Sequence, residues 1–189
     1  GDEEARHGIV LARNLLAKAA GIKTADTLND ARRKCPGLVV VPPDYRLYMQ
    51  VSGEMRRLYY DYSDLVEPFG PDEAWVDVTG STTCLGLTPL QMAREISERS
   101  KAELGLTVSI GVADNKIYAK FGSDYKKPDA VTLVDSAFAE GVLRPSPVRE
   151  LLYVGEATER KLHSSGIDSI GQLADASEQL LRRRLGKMG

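Results

Sequence analysis

The segment Gly70-Pro71-Asp72-Glu73-Ala74-Trp75-Val76-Asp77-Val78-Thr79-Gly80 holds the residues of this chain best suited to chemistry. Two adjacent carboxylates, Asp72 and Glu73, open a short alternating run. Ala74, Val76 and Val78 recur with period two, as a half-buried strand requires. Pro71 has no N–H to give a ladder, so it belongs ahead of the strand and not inside it. On an ideal strand Asp72 and Glu73 would face opposite sides. In an irregular turn after Gly-Pro, both can turn toward one ion. Paired acids at a strand edge suit Mg2+, which takes oxygen ligands and uses few protein carboxylates beside substrate phosphates. The same residues also read as two solvated acids in a hairpin turn, and the motif by itself divides evenly between the two.

The elements around this segment follow from periodicity and caps. Gly8–Ala12 reads as a short strand or extended lead-in, Leu15–Ala20 as an Ala-rich helix closed by Gly21, and Thr27–Lys34 as a second helix stopped by Pro36. Leu38–Val41 is a brief apolar strand ended by Pro42-Pro43, which makes the start of the chain a small α/β unit. Asp44 can cap a long helix along which Leu47, Val51, Met55, Leu58 and Tyr62 recur at helical spacing. Leu65–Phe69 and Asp72–Thr79 are hairpin partners. Thr88, Pro89 and Gln91 supply a capping box with proline at the first helical position, and Leu90, Ala93 and Ile96 form the apolar stripe of that helix. Leu106–Val112 has little polar content and is expected to be a central strand; a helix from Asp114 to about Asp124 and a strand over Val131–Val134 follow.

The order helix, strand, strand, helix, strand is most of a ferredoxin-like split βαβ unit. The first strand of that topology lies between two others, and without it two flanks carry unpaired backbone groups, which is costly. An upstream segment in the parent protein is therefore expected. After Arg144-Pro145-Ser146-Pro147 the chain takes the pattern of a small helical module, shaped as a helix-hairpin-helix that can offer N-terminal amides to a phosphate, or as a purely structural hairpin. The expected divisions are residues 1–43, 44–144 and 145–189.

The 189 residues carry 25 Lys and Arg against 27 Asp and Glu, a net charge of −2. That is not the balance of a simple nucleic-acid binder, although charge can be segregated, as in the basic run Arg182–Lys187. Cys35 and Cys84 sit in no metal or redox spacing and read as buried or inert thiols suited to a reducing, cytoplasmic setting. No apolar run approaches membrane-span length, so no membrane partner is expected. His7 and His163 stand apart from acidic motifs and receive no catalytic role.

Three segments together resemble the Y-family (translesion) DNA polymerases, nearest the bacterial polymerase IV group. Phe69 to Thr79 resembles the family's second acidic motif. Ser109-Ile110-Gly111-Val112-Ala113-Asp114-Asn115-Lys116-Ile117-Tyr118-Ala119-Lys120 is similar to its strand-to-helix motif, and Ser123-Asp124-Tyr125-Lys126-Lys127-Pro128-Asp129 follows in the family's order. Ala31–Pro43 and Val148–Ala174 fit the end of the fingers and the start of the thumb less sharply. The resemblance implies an α+β fold: a ferredoxin-like palm over 44–144, a small α/β fingers subdomain over 1–43 and a partial helix-hairpin-helix thumb over 145–189. It implies error-prone, template-directed DNA synthesis past damaged bases by nucleotidyl transfer with two Mg2+ ions, on primer-template DNA and deoxynucleoside triphosphates. A sliding clamp is the further expected partner, through a C-terminal little-finger domain not among these residues.

Carried over residue by residue, Asp72 would bridge the ions and Glu73 hold the one at the primer end, both as catalytic metal ligands. Lys127 would contact the triphosphate, with Lys18 and Ala12 also at the nucleotide. Gly155, Ala157 and Thr158 would meet the DNA backbone. Asp77 is expected to be structural, Trp75 to pack in the core, and Lys116 and Lys120 to face solvent or a carboxylate.

The departures are specific. The family's first acidic motif, with its third metal carboxylate, has no counterpart in these residues, so this chain is expected to be inactive alone. Leu15 and Lys18 stand where the family often has Tyr and Arg, and Lys18 can act only as a point charge. Gly70 replaces a common Ser, and Tyr153 replaces a glycine that permits close approach to phosphate. Two other readings remain: a non-catalytic relative that binds DNA or a polymerase, and a GGDEF-type nucleotide cyclase with a related palm, which would have Gly-Gly where Gly70-Pro71 stands.

Overall fold

The computed structural model describes residues 8–186; His7 and Lys187, read above from the sequence, lie outside them. The chain divides into two compact units, Gly1–Gln50 and Val51–Gly189.

In the first unit, Asn14 and Thr27 cap two short helices, α1 (Leu15–Ala19) and α2 (Leu28–Lys34), by accepting from the Ala17 and Asp30 amides. Val10, Ile22, Leu28 and Ala31 form its buried core. The strand expected over Leu38–Val41 does not form. Its side chains alternate in burial, with Leu38 and Val40 packed on the core and Val39 and Val41 82% and 73% exposed. Among the described residues it pairs with no strand, and its first amide, that of Leu38, donates to the Cys35 carbonyl, so no sheet forms there. Gly8–Ala12 contributes only an isolated bridge, Ile9 to Thr27.

Helix α3 (Tyr45–Tyr60) begins where the Asp44 carboxylate accepts from the Leu47 amide at 2.9 Å. In the second unit, strands β1 (Val66–Pro68) and β2 (Ala74–Val76) pair antiparallel, with Glu67 opposite Trp75. A one-turn helix, α4 (Ser81–Leu85), which periodicity did not reveal, follows Gly80. Helix α5 (Pro89–Leu104) opens with the expected capping box between Thr88 and Gln91 and ends at Gly105, whose φ of +67° suits a left-handed cap. Leu58, Tyr62, Met92 and Ile96 are the core between α3 and α5, with Val78 and Ile110 packed against it.

Strand β3 (Ile110–Val112) pairs in parallel with β4 (Val131–Leu133) across α6 (Lys116–Tyr125). The expected central strand Leu106–Val112 is therefore paired over three residues and on one side only. The described strands form two two-stranded sheets, not one. Helix α6 lies unusually close to β3: a Cβ on Gly111 would fall 1.9 Å from the Ala119 carbonyl oxygen, and one on Gly122 2.8 Å from Val134. Hydrogen is the only substituent that fits between them, and this sets the height of α6 above the sheet.

The chain continues through α7 (Ser136–Phe138) and a π turn over Ala139–Leu143, with Phe121, Val134, Leu143 and Ile170 in one core. The helices α8 (Glu156–His163), α9 (Ile170–Asp175) and α10 (Glu178–Leu185) then gather around Val148, Leu162 and Ile167. Two sequence readings need correction. Cys84 is exposed and Cys35 half-buried, so neither is a buried thiol. His163 has an acidic neighbour, with Nε2 3.6 Å from an Asp168 oxygen. No helix among the described residues is long and apolar enough to cross a membrane.

Candidate active site

The acid pair sits in the turn between β1 and β2, closed by the Phe69 amide donating to the Glu73 carbonyl at 2.8 Å. Gly70 takes a φ of +96°, open to glycine and strained for other residues. Asp72 is exposed, and among the described residues its carboxylate has no hydrogen-bond or ion-pair partner. Glu73 is half-buried and accepts from the Lys120 ammonium at 2.6 Å.

Lys120 reaches that carboxylate because Asn115 caps α6 and the glycine seam seats the helix low on β3. The same ammonium lies 2.9 Å from Asp124, one turn further along, and Asp124 also accepts an ion pair from Lys127 at 2.6 Å. Glu73, Lys120, Asp124 and Lys127 thus form one chain of alternating charge. Burial works to lower the Lys120 ammonium, but its bonds to Glu73 and Asp124 outweigh that and hold it above the ordinary lysine value. Burial likewise works to raise the Asp124 carboxyl, and the bonds from Lys127 and Lys120 overcome it and hold it below the usual carboxylate value.

Aromatic packing fixes the turn from the other side. Phe69 lies 4.6 Å from Trp75, centroid to centroid, and 6.3 Å edge-on from Tyr153. The Trp75 indole N–H donates to the Lys116 carbonyl, and the Lys116 ammonium, itself paired with Glu67, stands over the indole ring at 5.4 Å. Trp75 is therefore a half-buried residue packed on Phe69, and not part of a buried core as expected. Asp77 accepts from the Thr79 amide at 3.0 Å, and Thr79 is the main reason its carboxyl lies below the ordinary value.

A shallow cavity of about 350 Å3 opens beside this network, lined by Lys120, Asp124 and the segment Glu150–Gly155. Tyr153 projects from that segment with φ +70° and is 74% exposed. A side chain in this left-handed region costs about 1–2 kcal/mol. Gly155 begins α8 with no side chain capping the first-turn amides. Gly155 and Ala157 are exposed and Thr158 half-buried. Lys18 and Ala12 belong to the first unit, where both are exposed, Lys18 in the last turn of α1.

Residues 1–124 match the IMS family, described as impB/mucB/samB. The chain belongs to the impB/mucB/samB family. Over all 189 residues this family member is 48% identical to DNA polymerase IV of Acetivibrio thermocellus and 41% identical to DNA polymerase IV 1 of Bacillus subtilis, covering 47% and 45% of those proteins. It therefore spans about half the length of the curated relatives it matches, as a homologue of the Y-family DNA polymerase IV. Among solved structures, the insertion ternary complex of Dbh DNA polymerase superposes with a TM-score of 0.86 at 25% identity, covering 100% of this chain and 55% of that one. DinB from Sulfolobus solfataricus gives a TM-score of 0.84 at 25% identity over 96% of this chain and 53% of that one. The mixed α and β fold of the family is thus present here, and the family is one of DNA-directed DNA polymerases, which sets the cyclase reading aside.

Within this impB/mucB/samB chain, Asp72 and Glu73 share one turn, and Lys127 is joined to Glu73, not to Asp72, through two intermediaries, Asp124 and Lys120, that the sequence reading did not pair. The signal for half of that linkage was present, because Lys120 and Asp124 stand four apart on a helix. The contact from Lys120 to Glu73, 47 residues away, left no local mark. Among the described residues no group of three His, Cys, Asp or Glu converges on one point. The donors present nevertheless fit a hard divalent cation in part: two adjacent carboxylates, one of them with no competing partner.

Proposed function

We propose that this chain is the fingers (1–43), the greater part of a ferredoxin-like palm (44–144) and a partial helix-hairpin-helix thumb (145–189) of a translesion DNA polymerase. The observation that carries the reading is 48% identity across every residue to a DNA polymerase IV, with the acid pair held at a hairpin turn beside a lysine network.

Asp72 and Glu73 would hold Mg2+, with Asp72 shared between two ions and Glu73 at the primer end. When bound, such ions lower the pKa of an attacking hydroxyl and neutralise charge on the transferring phosphate. Lys127 contacts the triphosphate as a point charge, worth most where water is excluded. By the same resemblance, Lys18 would supply a further positive charge and Ala12 a small side chain at the nucleotide. The open amides at the start of α8, Gly155 to Thr158, take a backbone phosphate of primer-template DNA without reading its sequence. A sliding clamp and the cytoplasm complete the proposed setting.

Two carboxylates are fewer than the three the resemblance implies, so the 189-residue chain alone gives no templated incorporation. The test is primer extension by the full-length parent on undamaged and abasic templates. The parent is expected to extend both distributively, and Asp72→Ala to lower kcat/KM at least a thousandfold. Extension unaffected by Asp72→Ala would overturn the assignment and favour a non-catalytic DNA-binding relative.

A further inference from the structure

The four-membered ion-pair chain has a property its separate bonds do not. Lys120 is 17% exposed and lies between two carboxylates, Glu73 at 2.6 Å and Asp124 at 2.9 Å. Asp124 is shared in turn with Lys127, which is 52% exposed at the surface end. A positive charge therefore already sits against one of the two acids proposed to hold a cation, while Asp72 beside it has none among the described residues.

We propose that Lys120 is a resident counter-cation for Glu73, and that it is drawn across to Asp124 when an anionic ligand takes Lys127. This rests on the metal-binding reading of Asp72 and Glu73. A divalent cation arriving at Glu73 has to displace or repel the ammonium. Lys120 keeps a carboxylate partner throughout, because Asp124 stands on the same helix one turn away. How firmly Asp124 can hold Lys120 depends on whether Lys127 competes for it. With Lys127 engaged elsewhere, Asp124 takes Lys120 undivided and Glu73 is released to the cation. Phosphate capture and opening of the cation seat are thereby coupled through charges about one helical turn apart, with no movement of the backbone.

The experiment measures Mn2+ binding to the 189-residue chain by the loss of the free-ion EPR signal. Lys120→Gln is expected to tighten binding at least tenfold, and Asp124→Asn, which leaves Lys120 to Glu73 alone, to weaken it at least threefold. Lys127→Met is expected to tighten binding about threefold in the natural background and to have no effect in the Lys120→Gln background. That last comparison separates the relay from simple long-range repulsion, which would act equally in both. Unchanged or weaker binding by Lys120→Gln, or an equal Lys127→Met effect in both backgrounds, overturns the proposal. Asp124 is exposed, so its variant remains a test if Lys120→Gln fails to fold. Asp72→Asn isolates the underlying reading: it is expected to abolish binding, and natural affinity in that variant would refute the metal site itself, whatever Lys120 does.

Discussion

Replacing Gly111 by alanine drives a methyl group into the backbone of α6. The added Cβ would lie 1.9 Å from the Ala119 oxygen, 2.7 Å from the Ser123 nitrogen and 2.8 Å from the Ala119 carbonyl carbon. A carbon–oxygen contact needs about 3.3 Å, so the helix must retreat by roughly 1.4 Å. None of the three atoms belongs to a side chain that could rotate away. Overpacking a tight site costs typically 1–3 kcal/mol and occasionally more, and a clash wholly with backbone belongs at the upper end, about 3 kcal/mol. For a chain of this size that lowers Tm by roughly 6–12 °C. The retreat also carries Lys120 away from Glu73. The assay is thermal unfolding by circular dichroism, with Gly53→Ala as a control. Gly53 lies inside α3 with nothing within 4 Å of an added Cβ, and the gain in helix propensity is about 1 kcal/mol. Gly111→Ala should melt well below the natural chain and Gly53→Ala slightly above it. A Gly111→Ala melting point within 2 °C of the natural chain would refute the claim that the glycine seam sets the height of α6.

Other outcomes follow from the same structure. Thr88→Ala removes the hydroxyl half of the capping box on α5, the bond from the Gln91 amide, while the residue-88 amide still donates to the Gln91 side chain; it should cost about 1 kcal/mol, read as a shift in the urea midpoint with unchanged slope. Because the Asp124 carboxyl is held below its ordinary value of 3.8, it adds stability above that pH and loses it as the pH falls through its folded value. The stability difference between the natural chain and Asp124→Asn should thus be full at pH 6 and fade in acid; a difference that grows in acid would reverse the sign. Lys120, held above its ordinary value of 10.5, behaves in the opposite sense: its contribution is complete below that pH and falls as the pH rises past its folded value, which denaturation of Lys120→Gln in alkali would show.

The parts of this molecule that could be read from sequence are those fixed within a few residues. The Thr88–Gln91 box, the Asp44 cap and the hairpin around Asp72 depend on neighbours three or four positions away. Leu38–Val41 shows the limit. Its apolar character was legible and two of its side chains do pack inward, but a strand also needs a partner, and composition does not say whether one is present. The same holds for Leu106–Val112, whose apolar character suggested a central position that pairing does not bear out. At the candidate site the acids were visible as a motif, whereas the Lys120 bridge to Glu73 depends on α6 crossing β3 at close range, which follows from two glycines that look unremarkable in a list of residues.

The chain has one tryptophan, and it stands at the foot of the acid turn, against Phe69 and beneath the Lys116 ammonium. Indole emission shifts with the charge and polarity around the ring, so Trp75 is a built-in optical probe of that turn. Events at Asp72 and Glu73 can be followed by intrinsic fluorescence, without a dye and without altering the acids themselves.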